Sequence, residues 1–148
     1  MPKPIHLYIS SSPELTVERE VIAQIVAGLP LAIGWRIGHT PLPGQLGSPE
    51  TLGIEECDLY ALLLGHDFAA PMGQELRLAL GLGRAPFAAY RGAYTPSPSA
   101  QDALRTLDLT WQRYSALPEL RTIFRRDLLQ AVLKQATTLG LALGEIQR

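Results

Sequence analysis

Hydrophobic and polar positions alternate between two periods along this chain, and the clearest change of period runs from Asp58 to Tyr90. Asp58-Leu59-Tyr60-Ala61-Leu62-Leu63-Leu64 is apolar on both faces of an extended strand and breaks at Gly65-His66-Asp67. A short run of this kind suits a parallel strand covered from both sides, so Asp58 to Leu64 is expected to be buried throughout. A helix is predicted to begin near Met72-Gly73, with Glu75 in its first turn, and Pro86-Phe87-Ala88-Ala89-Tyr90 reads as the next strand. Strand, crossover helix and strand together place Glu75 beside the carboxyl edge of the sheet, where open α/β sheets bind ligands.

The flanking segments extend this pattern. Ile5-His6-Leu7-Tyr8-Ile9-Ser10 is a central strand apolar on both faces apart from His6. Ser12-Pro13-Glu14 reads as an N-cap, a first-turn proline and an acid favoured by the helix dipole. The helix that follows lines up Val21, Ile22, Ile25 and Leu29, and Gly28-Leu29-Pro30 ends it. Leu31 to Ile37, interrupted by glycine and mixed in pattern, suits a second strand at an edge. Gly38 to Gly53 is a long Gly/Pro-rich loop with at most a short helix around Pro49 to Glu55. A short helix from Ser99 to Leu107, a fifth strand from Leu109 to Tyr114 and a closing helix from Pro118 to about Leu139 complete the chain.

Strands alternating with helices imply a parallel sheet. Five such units fit a flavodoxin-like, doubly wound, three-layer α/β fold with strand order 2-1-3-4-5, the chain forming one domain over residues 1–148. Its switch point lies between the first and third strands, so Ser10-Ser11-Ser12 and Gly65-His66-Asp67 are expected to face one crevice.

Composition narrows the function classes. The chain has 148 residues, 47% of them hydrophobic and 18% charged, which argues against disorder. A formal net charge of −1 gives no electrostatic reason to expect nucleic acid or an anionic membrane surface. No apolar run approaches the roughly 20 residues of a membrane span, and Met1-Pro2-Lys3-Pro4 does not lead into a signal-peptide core, so a cytoplasmic protein is expected. Cys57 is the single cysteine and reads as a small apolar residue before a buried strand. No His, Cys or acidic residues have metal-ligand spacing, and no metal or resident cofactor is expected.

Within this fold, a receiver domain needs an acidic pair after the first strand and an aspartate ending the third, where this chain has Ser10-Ser11 and Leu64-Gly65. A flavodoxin needs a phosphate loop after the first strand, and Ser12-Pro13-Glu14 makes a poor one. Ile5 to Glu20, with its strand, serine loop and Glu18-Arg19-Glu20, resembles a TIR-like family of unknown function whose domain often stands at the N-terminus of prokaryotic NTPase and NLR-like defence or signalling proteins. Glu56-Cys57-Asp58-Leu59-Tyr60 through Leu64-Gly65, a glutamate in the next helix and the strand beginning Ala85-Pro86 are similar as well, and Trp111-Gln112-Arg113-Tyr114 before a long last helix extends the likeness. The family tends to have an aromatic-glycine pair after the third strand, where this chain has Asp67-Phe68-Ala69. In the related TIR NADases and nucleoside 2-deoxyribosyltransferases, a glutamate in the helix after the third strand acts at the anomeric carbon of a ribosyl unit, and Glu75 matches it by order in the chain.

The resemblance implies a nucleotide- or ribosyl-binding domain that cleaves an N-glycosidic bond, with NAD or a nucleoside as substrate and Glu75 as the catalytic carboxylate. A carboxylate next to C1′ can stabilise an oxocarbenium-like centre or form a glycosyl ester. The alternative is a non-catalytic module that works by self-association or by docking a partner signalling protein. Each candidate residue has two readings. Glu75 is a catalytic acid or a first-turn acid paired with the helix dipole. Ser10, Ser11 and Ser12 bind phosphate or ribose, or only cap a helix. Asp67 accepts from ribose hydroxyls and His66 contacts a phosphate, or they are a turn-former and a solvated histidine. His39, with Trp35 and Arg36, walls a base or is an ordinary edge cluster. Arg19 pairs locally with Glu18 or serves the site. His6 reads as a satisfied core histidine, and Arg121, Arg125 and Arg126 as a solvated face or a subunit contact.

Overall fold

The computed structural model describes residues 5–12, 14–28, 35–39, 54, 57–68 and 70–134. Five parallel strands form one sheet: β1 (Ile5–Ser11), β2 (Trp35–His39), β3 (Leu59–Leu64), β4 (Phe87–Arg91) and β5 (Trp111–Tyr114). Their order is β2-β1-β3-β4-β5, the flavodoxin-like order expected from the alternation of elements. Four helices lie among the described residues: α1 (Thr16–Ala27), α2 (Ala70–Gly81), α3 (Pro98–Thr106) and α4 (Leu117–Lys134).

The period-2 alternation of the strands sorts the core into two clusters. On one face Leu7, Ile9, Ala61 and Leu63 meet Val21, Ile22 and Ile25 of α1 and Leu120, Phe124 and Leu128 of α4. On the other, Tyr8, Tyr60, Leu62 and Leu64 meet Met72, Leu76 and Ala79 of α2 and Ala100 of α3. All six residues of β3 and all seven of β1 are buried, which is why both read as continuous apolar runs. At about 1.5–3 kcal/mol for each large apolar side chain buried, these two strands dominate the stability of the sheet.

Several local expectations are corrected. Asp58 is only half-buried: it accepts from the His6 backbone N–H through Oδ2 at 2.9 Å and donates its own N–H to the His6 carbonyl at 2.8 Å, seating β3 against β1. α1 starts at Thr16, and its N-cap position, Leu15, offers no side-chain cap, so Ser12 does not cap this helix and Glu14 lies before it. α2 starts at Ala70, which moves Glu75 out of the first turn. His6 is buried, but its Nδ1 has no hydrogen-bond partner, so it is not a satisfied core histidine. Residues 31–34, most of the Gly/Pro-rich loop and the end of the closing helix lie outside the described residues.

Candidate functional site at the carboxyl edge

Alternation along β1 separates the three serines. Ser10 points to the α2 face, Ser11 to the α1 face, and Ser12 lies in the loop beyond the strand; all three are fully buried. They do not form one hydroxyl cradle, because consecutive strand residues face opposite sides of a sheet.

Ser10 reaches Glu75. The Glu75 side chain is 1% exposed, and its carboxylate accepts from Ser10 Oγ at 2.8 Å and from the Tyr8 hydroxyl in a very short contact. Tyr8 and Ser10 are two apart on β1 and therefore share a face, and α2 lays Glu75 over that face from its second turn. The Tyr8 ring is itself held between neighbours. It stacks on Tyr60, its register partner on β3, with centroids 6.4 Å apart and planes 8° from parallel. On β2 its register partner is Gly38, where a Cβ would come within 3.0 Å of the ring. Tyr8 and Tyr60 are the site residues that sequence reasoning missed. The signal was available in the i, i+2 spacing of Tyr8 and Ser10, but not the strand register that brings Tyr60 opposite Tyr8.

Ser12 stitches the two switch-point loops together. Its hydroxyl donates to the Asp67 carbonyl at 2.6 Å and accepts from the Gly65 N–H at 2.8 Å, and its backbone N–H donates to the Leu63 carbonyl at 3.2 Å. Glu14 adds a second stitch, since its Oε1 accepts from the His66 backbone N–H. That carboxylate takes the backbone amide an incoming anion would use. A Cβ at position 65 would meet Glu14 Oε1 at 2.6 Å and Leu15 Cδ2 at 3.0 Å, so a larger residue there has to displace the Glu14 carboxylate. The loops expected to flank an open crevice are bonded to each other.

Asp67 and His66 turn away towards α3. Asp67 Oδ1 accepts from Ser97 Oγ at 2.5 Å and Ser99 Oγ at 2.7 Å, and these hydrogen bonds hold its carboxyl below the usual aspartate range. Ser97 also caps α3 by accepting from the Ala100 N–H at 3.2 Å. The exposed His66 ring donates from Nδ1 to the Thr95 carbonyl, which assigns the proton to Nδ1. The structure thus brings Ser10 and Glu75 together, ties Ser12 to the Gly65 loop, and sends Asp67 to the start of α3. His39 ends β2 opposite Ile9, and its side chain lies outside the described residues.

A second buried acid occupies the other face. Glu18, 1% exposed, accepts from the Arg91 guanidinium and from the Tyr114 hydroxyl, each at 2.9 Å. Arg19 instead donates to Ser11 Oγ at 3.2 Å, so the local Glu18–Arg19 pair expected from sequence is replaced by a long-range one. Burial and the Glu18 charge push the Tyr114 phenol up; burial pulls Arg91 down, but the bond to Glu18 and its charge outweigh it and the net shift is upward. Arg91 also lies over the Tyr94 ring, 5.5 Å from its centroid. Arg121, Arg125 and Arg126 on α4 are exposed, with Arg121 reaching Gln24 and Arg126 reaching Gln112 and Asp127. Cys57 is buried, and burial raises its thiol, as suits an apolar core residue.

A cleft of about 590 Å³ opens at the opposite, amino-terminal edge of the strands, between Leu59, Phe87, Phe124 and Leu128, with Asp127 and Lys134 also lining it. Glu75, Tyr8 and Ser10 do not line it. Among the described residues, no three His, Cys, Asp or Glu side chains are grouped to hold a metal ion, and no helix is long and apolar enough to cross a membrane. No family model, curated protein or solved structure matches this chain.

Proposed function

We propose that this chain is a TIR-like domain that binds a ribosyl compound, a nucleoside or a nucleotide such as NAD, at the carboxyl edge of β1 and β3 and cleaves its N-glycosidic bond with Glu75. The observation that carries this reading is a carboxylate buried beside the switch point with hydroxyl donors from Tyr8 and Ser10 on it. A first-turn acid serving the helix dipole does not explain it, because Glu75 lies beyond the first turn and faces the sheet. The Tyr8 and Ser10 hydroxyls orient the carboxylate. The oxygens are thereby aimed at a fixed point, where an electron-deficient C1′ is stabilised electrostatically or attacked to form a glycosyl ester. If the leaving base is nicotinamide, it departs as a neutral molecule and needs no general acid.

A nucleotide and nucleoside panel tests this directly. Ligands of the right class raise the melting temperature by an amount that grows with concentration, and base is released on incubation. No shift with any nucleotide or nucleoside up to millimolar concentration removes the ribosyl reading. One specific observation favours a second reading. The stitches from Ser12 and Glu14 close the switch-point loops on each other. This suits an interaction module that needs no open crevice, with a second copy or a signalling protein as its partner, and a concentration-dependent oligomer without nucleotide binding is its signature.

A further inference from the structure

The cleft of about 590 Å³ at the amino-terminal edge is of a size that takes a small molecule, and it lies apart from the Glu75 cluster. Small residues on both of its walls account for it. β3 carries Ala61 between Leu59 and Leu63 on the face that α4 covers, and α4 brings Ala131 to the same face beyond Leu128. Larger side chains at these two positions would close the space, as they do elsewhere in a packed core. The inner wall is apolar: Leu7, Ala61 and Phe124 are each at most 1% exposed, and the Phe124 ring stands edge-on to Phe87 with centroids 5.0 Å apart.

The charged groups on the lining are not evenly matched. Asp127 accepts from Gln112 and from Arg126 Nε, and Asp58 accepts from the His6 backbone N–H, so both acids have partners. The two cations lack countercharges. Half-buried Arg84 donates from Nε to the Cys57 carbonyl at 2.8 Å, Lys134 is exposed at the end of α4, and neither forms an ion pair among the described residues. We propose that this cleft binds an amphipathic anion, a small molecule whose apolar chain lies between the sheet and α4 and whose carboxylate meets Arg84 and Lys134. The chain takes the place of water against the apolar wall, and the carboxylate supplies the countercharge that both cations lack. A cationic head on the same chain would face like charge there and be rejected. The proposal is independent of the ribosyl reading, since the cleft lies at the opposite edge of the strands from Glu75.

The test is calorimetric titration of the whole chain with decanoate, octanoate and decyltrimethylammonium, each kept below its micelle concentration. Wild type is expected to bind one decanoate per chain, octanoate about tenfold more weakly because two methylenes are lost, and decyltrimethylammonium at least about tenfold more weakly. Ala131→Trp fills the cleft and is expected to abolish decanoate binding while unfolding cooperatively. Lys134→Glu changes only the exposed end of α4 and is expected to weaken decanoate about threefold or more without weakening decyltrimethylammonium. No decanoate binding by wild type up to millimolar concentration overturns the proposal. Equal affinity for the two head groups overturns the anionic class, and equal affinity for octanoate and decanoate overturns the apolar seat. Full decanoate affinity in a folded Ala131→Trp protein overturns the location. If Ala131→Trp does not fold, unchanged decanoate affinity in Lys134→Glu does so instead. The nucleotide and nucleoside panel reads the other edge of the sheet, so either proposal can fail while the other stands.

Discussion

Glu18 and Glu75 are equally buried on opposite faces of one sheet, and their partners differ in kind. Glu18 is held by a guanidinium and a phenol, Arg91 and Tyr114, which reach it from β4 and β5. Glu75 receives the hydroxyls of Tyr8 and Ser10 from β1, with the Tyr60 ring of β3 stacked on Tyr8 beside them. The Glu18 cluster joins α1 to the far strands through a charge pair, and each member leaves the other exposed to a large desolvation cost if removed. The Tyr8 and Ser10 hydroxyls instead hold the Glu75 carboxylate against β1. The same side chain is a lock on one face and a candidate reagent on the other, and its neighbours decide which.

The largest effect should come from breaking the lock. Glu18→Ala strands Arg91 and Tyr114, and with Arg91 a quarter exposed the loss is expected to be about 2–4 kcal/mol, read as a fall in the urea midpoint at constant slope. Glu75→Gln keeps the size and an acceptor for Tyr8 or Ser10, so stability should fall by only about 1 kcal/mol. On the proposed ribosyl reading, any base-releasing activity should fall by about a hundredfold in the same variant. A Glu75→Gln protein that loses as much stability as Glu18→Ala, with its base release intact, would make the two acids equivalent and end the contrast.

Smaller effects sharpen it. Gly65→Ala forces a Cβ against the Glu14 carboxylate and Leu15, and about 1–3 kcal/mol should be lost in thermal or urea unfolding as the loops part. Ser97→Ala removes both the α3 cap and a donor to Asp67, at a cost of about 1 kcal/mol. The smallest is a pH effect at Asp67, whose folded-state pKa is depressed below its ordinary value of 3.8 by Ser97 and Ser99. A depressed carboxyl stabilises the fold above the unfolded pKa and loses that contribution as pH falls through the folded one. The stability gap between wild type and Asp67→Asn should therefore be constant above about pH 5 and narrow as pH falls below 3.8. A gap that widens with acid would contradict the assignment.

The fold was legible because it depends on periodicity. The short, largely apolar runs at Ile5 to Ser10 and Leu59 to Leu64 suit covered parallel strands, and their alternation with helices leaves few topologies. The site was legible in part. Glu75 and Ser10 were picked out by their place in the chain order, and they meet. From the sequence, Ser12 reads as a crevice residue or helix cap, Asp67 as a crevice residue or turn-former, and Glu14 as a first-turn acid. In the fold Ser12 and Glu14 bond across the loops and Asp67 bonds to Ser97 at the start of α3, because a loop side chain takes whichever partner the tertiary packing brings nearest.

By itself the sequence determined the strand order, the covered central strands and the presence of an acid after β3, since burial patterns and connection lengths are local properties of the chain. Only the tertiary structure decided what that acid touches. Register sets Tyr60 against Tyr8, strand alternation sends Ser10 and Ser11 to opposite faces, and contacts 73 and 96 residues apart pair Glu18 with Arg91 and Tyr114. Hydrogen bonds at such separations depend on how strands are aligned to within one residue, because a slip of one reverses every side chain. No local pattern in the chain carries that alignment.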